Sequence, residues 1–219
     1  MGIAERRERE KEQRRNDIID AAEKVFFKKG YAEATMDDIS SEVELSKGTV
    51  YLYFNTKEEL YFAVMIKGFN ILVNLFKEAS EKEKSGADKL RAIGEAYIRF
   101  FKEYNADFRN LMFFEGKHLD LDDNSPWVAE FEKVVADLFA NLTNAIQNGI
   151  SDGSIHKDIE PVKMALLLWA QTNGVLQLAS TKRDMLECHF HVAPDELIGY
   201  YIRMLGGMLG SGPASEEGS

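Results

Sequence analysis

Hydrophobic positions recur at helical spacing along almost the whole chain, and no segment shows the strict alternation of a half-buried strand. Between Asn16 and Gly30 the residues Ile18, Ala22, Val25 and Phe26 fall at i, i+4, i+7 and i+8, one face of a helix. Lys28 and Lys29 complement its C-terminal dipole, and Gly30 supplies a stop. Thr35 caps a short second helix, with Asp38 three residues on as capping-box partner, and Ile39 and Val43 give that helix an inner face. After a two-residue turn, Ser46 caps a third helix of about two turns. This grouping predicts a helix-turn-helix.

Thr56 and Glu59 open a fourth helix over about 57–82, with Leu60, Val64, Ile71 and Leu75 inward. At 1.5 Å per residue it is a rod of about 39 Å. Ser85-Gly86 ends it. Further helices are predicted at about 87–104, 106–115, 126–149 (with Pro126 at the first position), 161–180 and 195–206. Residues 116–125 read as a polar loop, 151–154 as a turn and 210–219 as a disordered tail. The result is an all-α chain of about nine helices. A head spans residues 1–57, of which 1–15 are a charged arm, and a helical body spans 58–209. The arm reads either as a helical extension held by i,i+4 ion pairs or as an element whose Arg14 and Arg15 touch phosphate or the minor groove.

Charge alters this picture little. The net charge is −10, but residues 1–57 carry 11 Lys/Arg against 12 Asp/Glu, so the acidity lies in the body. The single Cys188 excludes an internal disulfide and suits a reducing compartment. No apolar run approaches the roughly 20 residues of a membrane span, and the charged N-terminus has no signal-peptide core. A cytoplasmic protein without a membrane partner is expected.

Chemistry concentrates in residues 45–57. Ser46, Gly48 and Thr49 leave one helix face low enough for close approach, and Lys47, Tyr51, Tyr53 and Lys57 border it with phosphate-binding groups. Elsewhere ligand types occur without a site. Cys188-His189-x-His191 lacks a fourth metal partner, and Asp120-x-Asp122-x-Asn124 lacks the glycine and closing glutamate of a calcium loop. No nucleophile elbow or phosphate loop is present, so neither an enzyme nor a cofactor is expected.

The first 60 residues resemble the TetR family of bacterial transcriptional regulators. The resemblance rests on Ile19-x-Ala21-Ala22-x-x-x-Phe26, on Gly30-Tyr31-x-x-x-Thr35-x-x-Asp38-Ile39, and on Leu45-Ser46-x-Gly48-Thr49-Val50-Tyr51-x-Tyr53-Phe54-x-x-Lys57-x-x-Leu60. It implies DNA-binding roles for Thr35, Ser46, Lys47, Gly48, Thr49, Tyr51, Tyr53 and Lys57. Ser46, Lys47, Gly48 and Thr49 would face the major groove, with Lys47 and Thr49 or Tyr51 as base readers, and Thr35, Tyr51, Tyr53 and Lys57 would meet phosphates. Val50 and Phe54 are expected to pack inward. Glu44 departs from the glycine often found in the family's turn. If the turn needs a positive φ, that residue costs on the order of 1 kcal/mol.

The resemblance further implies a body that binds a small molecule and dimerises through its last two long helices. The 161–180 segment is apolar on more than one side, as a helix with two partners would be. Candidate interface residues are Ala170, Gly174, Leu178, Ile198, Tyr201, Ile202 and Leu205. Candidate effector residues are Tyr97, Phe101, Phe113, Phe131, Trp169 and Asn173. Asn141, Gln171, Asn173 and Gln177 would need polar partners if buried, and a ligand is one source, with interface pairing or solvent exposure as others. The expected function is a homodimeric repressor that binds a palindromic operator and is released by a small apolar or aromatic effector. The alternative is a helical small-molecule-binding protein without sequence-specific DNA binding.

Overall fold

The computed structural model describes residues 2–112 and 125–209, and among these there are ten helices and no strand. They are α1 (Ile3–Glu33), α2 (Met36–Glu42), α3 (Lys47–Tyr51), α4 (Lys57–Ser80), α5 (Gly86–Glu103), α6 (Asn105–Met112), α7 (Pro126–Asp152), α8 (Pro161–Thr181), α9 (Arg183–His189) and α10 (Pro194–Leu209). Two expectations shift. The charged arm is helical and continuous with the first helix, while Gly30 breaks that helix at φ 76° before one more turn. The segment between α8 and α10 contains a short helix, α9, that hydrophobic spacing had not indicated. Residue Phe113, the 116–124 part of the polar loop and the 210–219 tail lie outside the described residues.

The chain divides into two compact units, with the divisions falling inside α4 after Asn70, between α5 and α6 after Glu103, and inside α7 after Val134. The first unit holds α1–α3, the beginning of α4, α6 and the beginning of α7. Its core is built from Ile18, Ala22, Phe26, Ile39, Val50, Phe54, Leu60 and Val64, each at most 3% exposed. Around it, Tyr31 and Tyr61 pack with Phe26, and Phe62 and Phe69 meet the Phe131 ring edge-on at 5.4 and 5.5 Å.

The second unit holds the rest of α4 and α7 with α5 and α8–α10. Gly86 and Gly149 let α5 and α7 touch: a Cβ on Gly86 would lie 1.9 Å from the Gly149 amide nitrogen. The turn after α7 caps α5, because Gly86 N donates to Asp152 Oδ2 at 2.7 Å and Ala87 N to Ser154 Oγ at 3.0 Å. The break and the turn seen separately in the sequence are therefore one contact.

Sequence inspection found no span-length apolar run, yet α4 has the length and mean hydropathy (1.4 over 18 residues) of a membrane span. Within the fold, 61% of that window is buried by protein, as in a globular core helix.

Candidate DNA-reading surface and ligand cavity

The capping chemistry of the head is in place. Asp38 N donates to Thr35 Oγ1 at 3.1 Å and Thr35 N donates to Asp38 Oδ2 at 3.1 Å, so α2 begins with a complete capping box. Lys29 completes it at 2.7 Å, and its bond, followed by that of Thr35, holds the Asp38 carboxyl below its usual range. In the next turn Val43 ends α2 and Glu44 stands at φ 55°, where glycine is the unstrained residue. Ser46 then starts α3 by accepting from Thr49 N at 3.1 Å, and the two hydroxyls lie 2.8 Å apart.

This geometry brings the expected readers to one surface. Val50 and Phe54 are fully buried and hold the inner side of α3. Ser46, Lys47, Gly48 and Tyr51 are exposed, and Thr49 and Tyr53 are half-buried. Gly48 keeps the face low, since only Ser46 Oγ lies within 4 Å of where a Cβ would stand. Leu52, which residue-type reasoning passed over, is 83% exposed between the two tyrosines. Its exposure follows from helical register, with Val50 and Phe54 taking the inward positions.

Two lysines have protein partners. Lys47 Nζ lies 2.7 Å from Asp37 Oδ1, and this hydrogen bond raises the lysine's pKa. Lys57 corrects an expectation. Its ammonium, expected on a phosphate, donates to the carbonyls of Tyr31, Ala32 and Ala34 at 2.9, 3.4 and 3.0 Å and sits 4.4 Å above the Tyr31 ring. It ties the end of α1 to the start of α4, satisfying carbonyls that have no helical partner. Beside it, Tyr31 donates to Glu58 at 2.6 Å; burial is the largest single influence and raises the Glu58 pKa, but this bond, those from its own amide and Thr56, and the Lys57 charge together outweigh it and the net shift is downward.

Residues 18–64 match the model for "Bacterial regulatory proteins, tetR family". The HTH-type transcriptional regulator TtgR of Pseudomonas putida is 26% identical over 178 residues, 80% of this chain and 84% of that protein. The head of the chain is that of the TetR family of bacterial regulators. The fold agrees. A tetR-family regulatory protein from Rhodococcus RHA1 superposes with a TM-score of 0.71 at 22% identity, over 91% of this chain and 98% of that one. The transcriptional regulator FadR from Bacillus subtilis, solved with stearoyl-CoA, does so at 0.70 and 16%, over 88% and 98%. With that head and such relatives, the chain is a DNA-binding transcriptional regulator.

The second unit holds a partly open cavity of about 240 Å³, lined by residues of α4, α5, α7, α8 and α10. Tyr97 and Trp169 form one wall, stacked with centroids 5.1 Å apart and planes 6° from parallel. The Tyr97 hydroxyl donates to Asn173, and burial raises its pKa far above the phenol range. Asp88 and Arg91, paired at 2.9 Å, also line it. Thr172 satisfies itself with the Leu168 carbonyl and the Tyr201 hydroxyl.

Among the candidate effector residues, Tyr97 and Trp169 line the cavity, Asn173 stands behind Tyr97, and Phe101 is half-buried off the lining. Phe131 belongs to the first unit with Phe62 and Phe69. Phe113 is outside the described residues. The polar groups do not need a ligand. Asn173 has Tyr97, Asn141 donates to the Asp137 carbonyl, and Gln171 and Gln177 are exposed.

The candidate interface residues separate in the same way. Ala170 and Gly174 are exposed, with open space beyond Gly174, and Leu178 is half-buried. Ile198 and Tyr201 are buried within their own unit, and Ile202 and Leu205 line the cavity. The apolar residues that reach solvent are others: Val162, Leu166 and Leu167 on α8, with Tyr200 and Met204 on α10.

Proposed function

We propose that this protein is a homodimeric repressor that reads a palindromic operator through α3 and is released by a small apolar ligand bound between α5, α8 and α10. The observation that carries the reading is the exposed start of α3, with Ser46, Lys47, Gly48 and Thr49 at the surface of a helix whose other side, Val50 and Phe54, is fully buried. An N-terminal helical turn so presented can reach base edges in the major groove. Lys47 and Thr49 are the base readers, and Leu52 offers an apolar contact to a thymine methyl. Thr35, Ser46, Tyr51 and Tyr53 position the head on phosphates. Lys57 keeps its structural task.

Dimerisation rests on Val162, Leu166, Ala170 and Gly174, an unbroken i, i+4 row of exposed small and apolar residues along α8. Tyr200 and Met204 of α10 add further exposed apolar surface to the same unit, and apolar surface left at solvent marks an interaction site. The ligand is apolar or aromatic, because the cavity walls are leucine, isoleucine, phenylalanine and the Tyr97–Trp169 stack. At about 240 Å³ the cavity is slightly below the roughly 300–1,000 Å³ usual for small-molecule sites, so a long acyl chain would have to widen it. The structural neighbour solved with stearoyl-CoA makes an acyl thioester the first ligand to test. The regulator acts in the cytoplasm, where its DNA is.

The test is selection from random duplexes at low salt, which should enrich a palindrome. Lys47→Ala should change the bases preferred. No enrichment at any salt concentration would leave the ligand-binding protein without DNA specificity as the better account.

A further inference from the structure

We infer that the N-terminal arm is a second DNA contact, in which Arg7, Lys11 and Arg14 bind backbone phosphates flanking the site that α3 reads. The inference rests on the DNA-binding reading above and adds a surface that the helix-turn-helix does not contain.

Register comes first. Before Gly30 the helix α1 has no non-helical residue, so the direction of each arm side chain follows from its offset to the buried part. Arg7, Lys11 and Arg14 precede the fully buried Ile18 by eleven, seven and four residues, which places them on the side of α1 that carries Ile18, Ala22 and Val25. Along that side the residues change from apolar to cationic where the packed core of the head stops. Glu5 and Glu12 lie more than about 100° round the helix from it. Arg6 and Arg9 also lie on that far side and Glu8 and Glu10 stand about 80° to either side, so the stripe itself is cationic with no carboxylate on its line.

Pairing agrees. Arg6 is neutralised by Glu10 at 2.8 Å, whereas Arg7, Lys11 and Arg14 have no hydrogen bond or ion pair among the described residues. The next cation on the stripe is the root. The Arg15 guanidinium lies 4.9 Å from the Trp127 ring and 5.7 Å from that of Phe54. Phe54 directly follows Tyr53 at the end of the reading element, so the stripe starts at that end of the head. From Arg15 to Arg7 it extends about 12 Å at 1.5 Å per residue, enough to reach phosphates past the groove that α3 enters.

The test uses the full chain and the duplex selected by the wild type, once with ten flanking base pairs on each side and once trimmed to the palindrome. Arg7→Ala, Lys11→Ala and Arg14→Ala together should reduce the slope of log affinity against log salt by about 2.7 per bound protomer, with the preferred bases unchanged. Between 50 and 200 mM salt, that is a loss about 40-fold smaller than the wild type's for each protomer. Trimming should weaken the wild type and leave the triple variant unaffected. Glutamine at the same three positions should reproduce the result, which separates charge from any change in helicity. An unchanged slope overturns the inference. So does tighter binding by the variant, which would mean that the stripe pairs with acidic groups of the protein itself. If the wild type binds no duplex, the DNA reading fails as well; if it binds with the same slope as the variant, only the arm fails.

Discussion

At the scale of single residues, two positions carry a conformational or electrostatic cost. Glu44 holds φ 55° in the turn before α3, a region that costs a side chain about 1–2 kcal/mol and glycine almost nothing. Glycine loses part of that advantage through its freer unfolded chain, so Glu44→Gly should raise stability by about 0.5–1 kcal/mol in urea unfolding. Asp107 is the other. It lies buried on α6 beside Glu23 of α1 and Lys67 of α4, and its Oδ1 has no hydrogen-bond partner among the described residues. Burial, and then the Glu23 charge, push its pKa up to about 7 from 3.8, with Lys67 opposing. Burial lowers the Lys67 pKa, but the bonds to Asp20 and Glu23 more than reverse that, so Lys67 stays charged.

A carboxyl whose folded pKa is raised favours folding while it is protonated. Its contribution is complete below about 3.8 and is lost as pH rises through about 7. Asp107→Asn should remove that part of the pH dependence, gaining on the wild type in chemical-denaturation stability between pH 4 and 7. Parallel profiles for the two proteins would contradict the assignment. None of this was visible in the sequence, where Asp107 is one acidic residue among 37.

At the scale of elements, caps and breaks were legible because they are local. Thr35-x-x-Asp38 forms the box its spacing predicts. Thr56 accepts from Glu59 N at 3.1 Å, although the Glu59 side chain reaches back to Asn55 N, one residue earlier than the motif suggests. Lys57 was misassigned for a physical reason. A lysine at a helix start beside tyrosines reads as a phosphate anchor, and only the approach of α1 supplies three unpaired carbonyls in its place. Lys57→Met should therefore cost about 1–2 kcal/mol of stability while leaving the salt slope of DNA binding unchanged. A lower slope with full stability would restore the phosphate role. The short α9 was missed because seven residues containing Cys188 and His189 offer too little apolar periodicity to register.

At the scale of the whole molecule, the proposed dimer and the cavity draw on the same two helices, α8 and α10, from different sides. Leu166 and Leu167 are 51% and 54% exposed, whereas Leu168 is buried against the cavity. Leu166→Glu with Leu167→Glu should yield a folded monomer by sedimentation, with operator affinity lowered at least tenfold because one head binds without its twin. Retention of the dimer would place the interface elsewhere. The sequence marked this segment as apolar on more than one side, but composition cannot say which side meets the protein's own core.

The sequence alone determined the helical class, most helix ends, and the head with its inward Val50 and Phe54 and its family motif. Each follows from short-range rules: spacing at 3.6 residues, side chains that cap the nearest amides, and a motif confined to one head. Tertiary structure decided what depends on groups distant in the chain. It paired Lys57 with α1, Tyr97 with Asn173, and Gly86 with Gly149, and it set Phe131 in the first unit while Trp169 lines the cavity. Burial is a property of the partner surface as much as of the residue, and that surface is not written beside it.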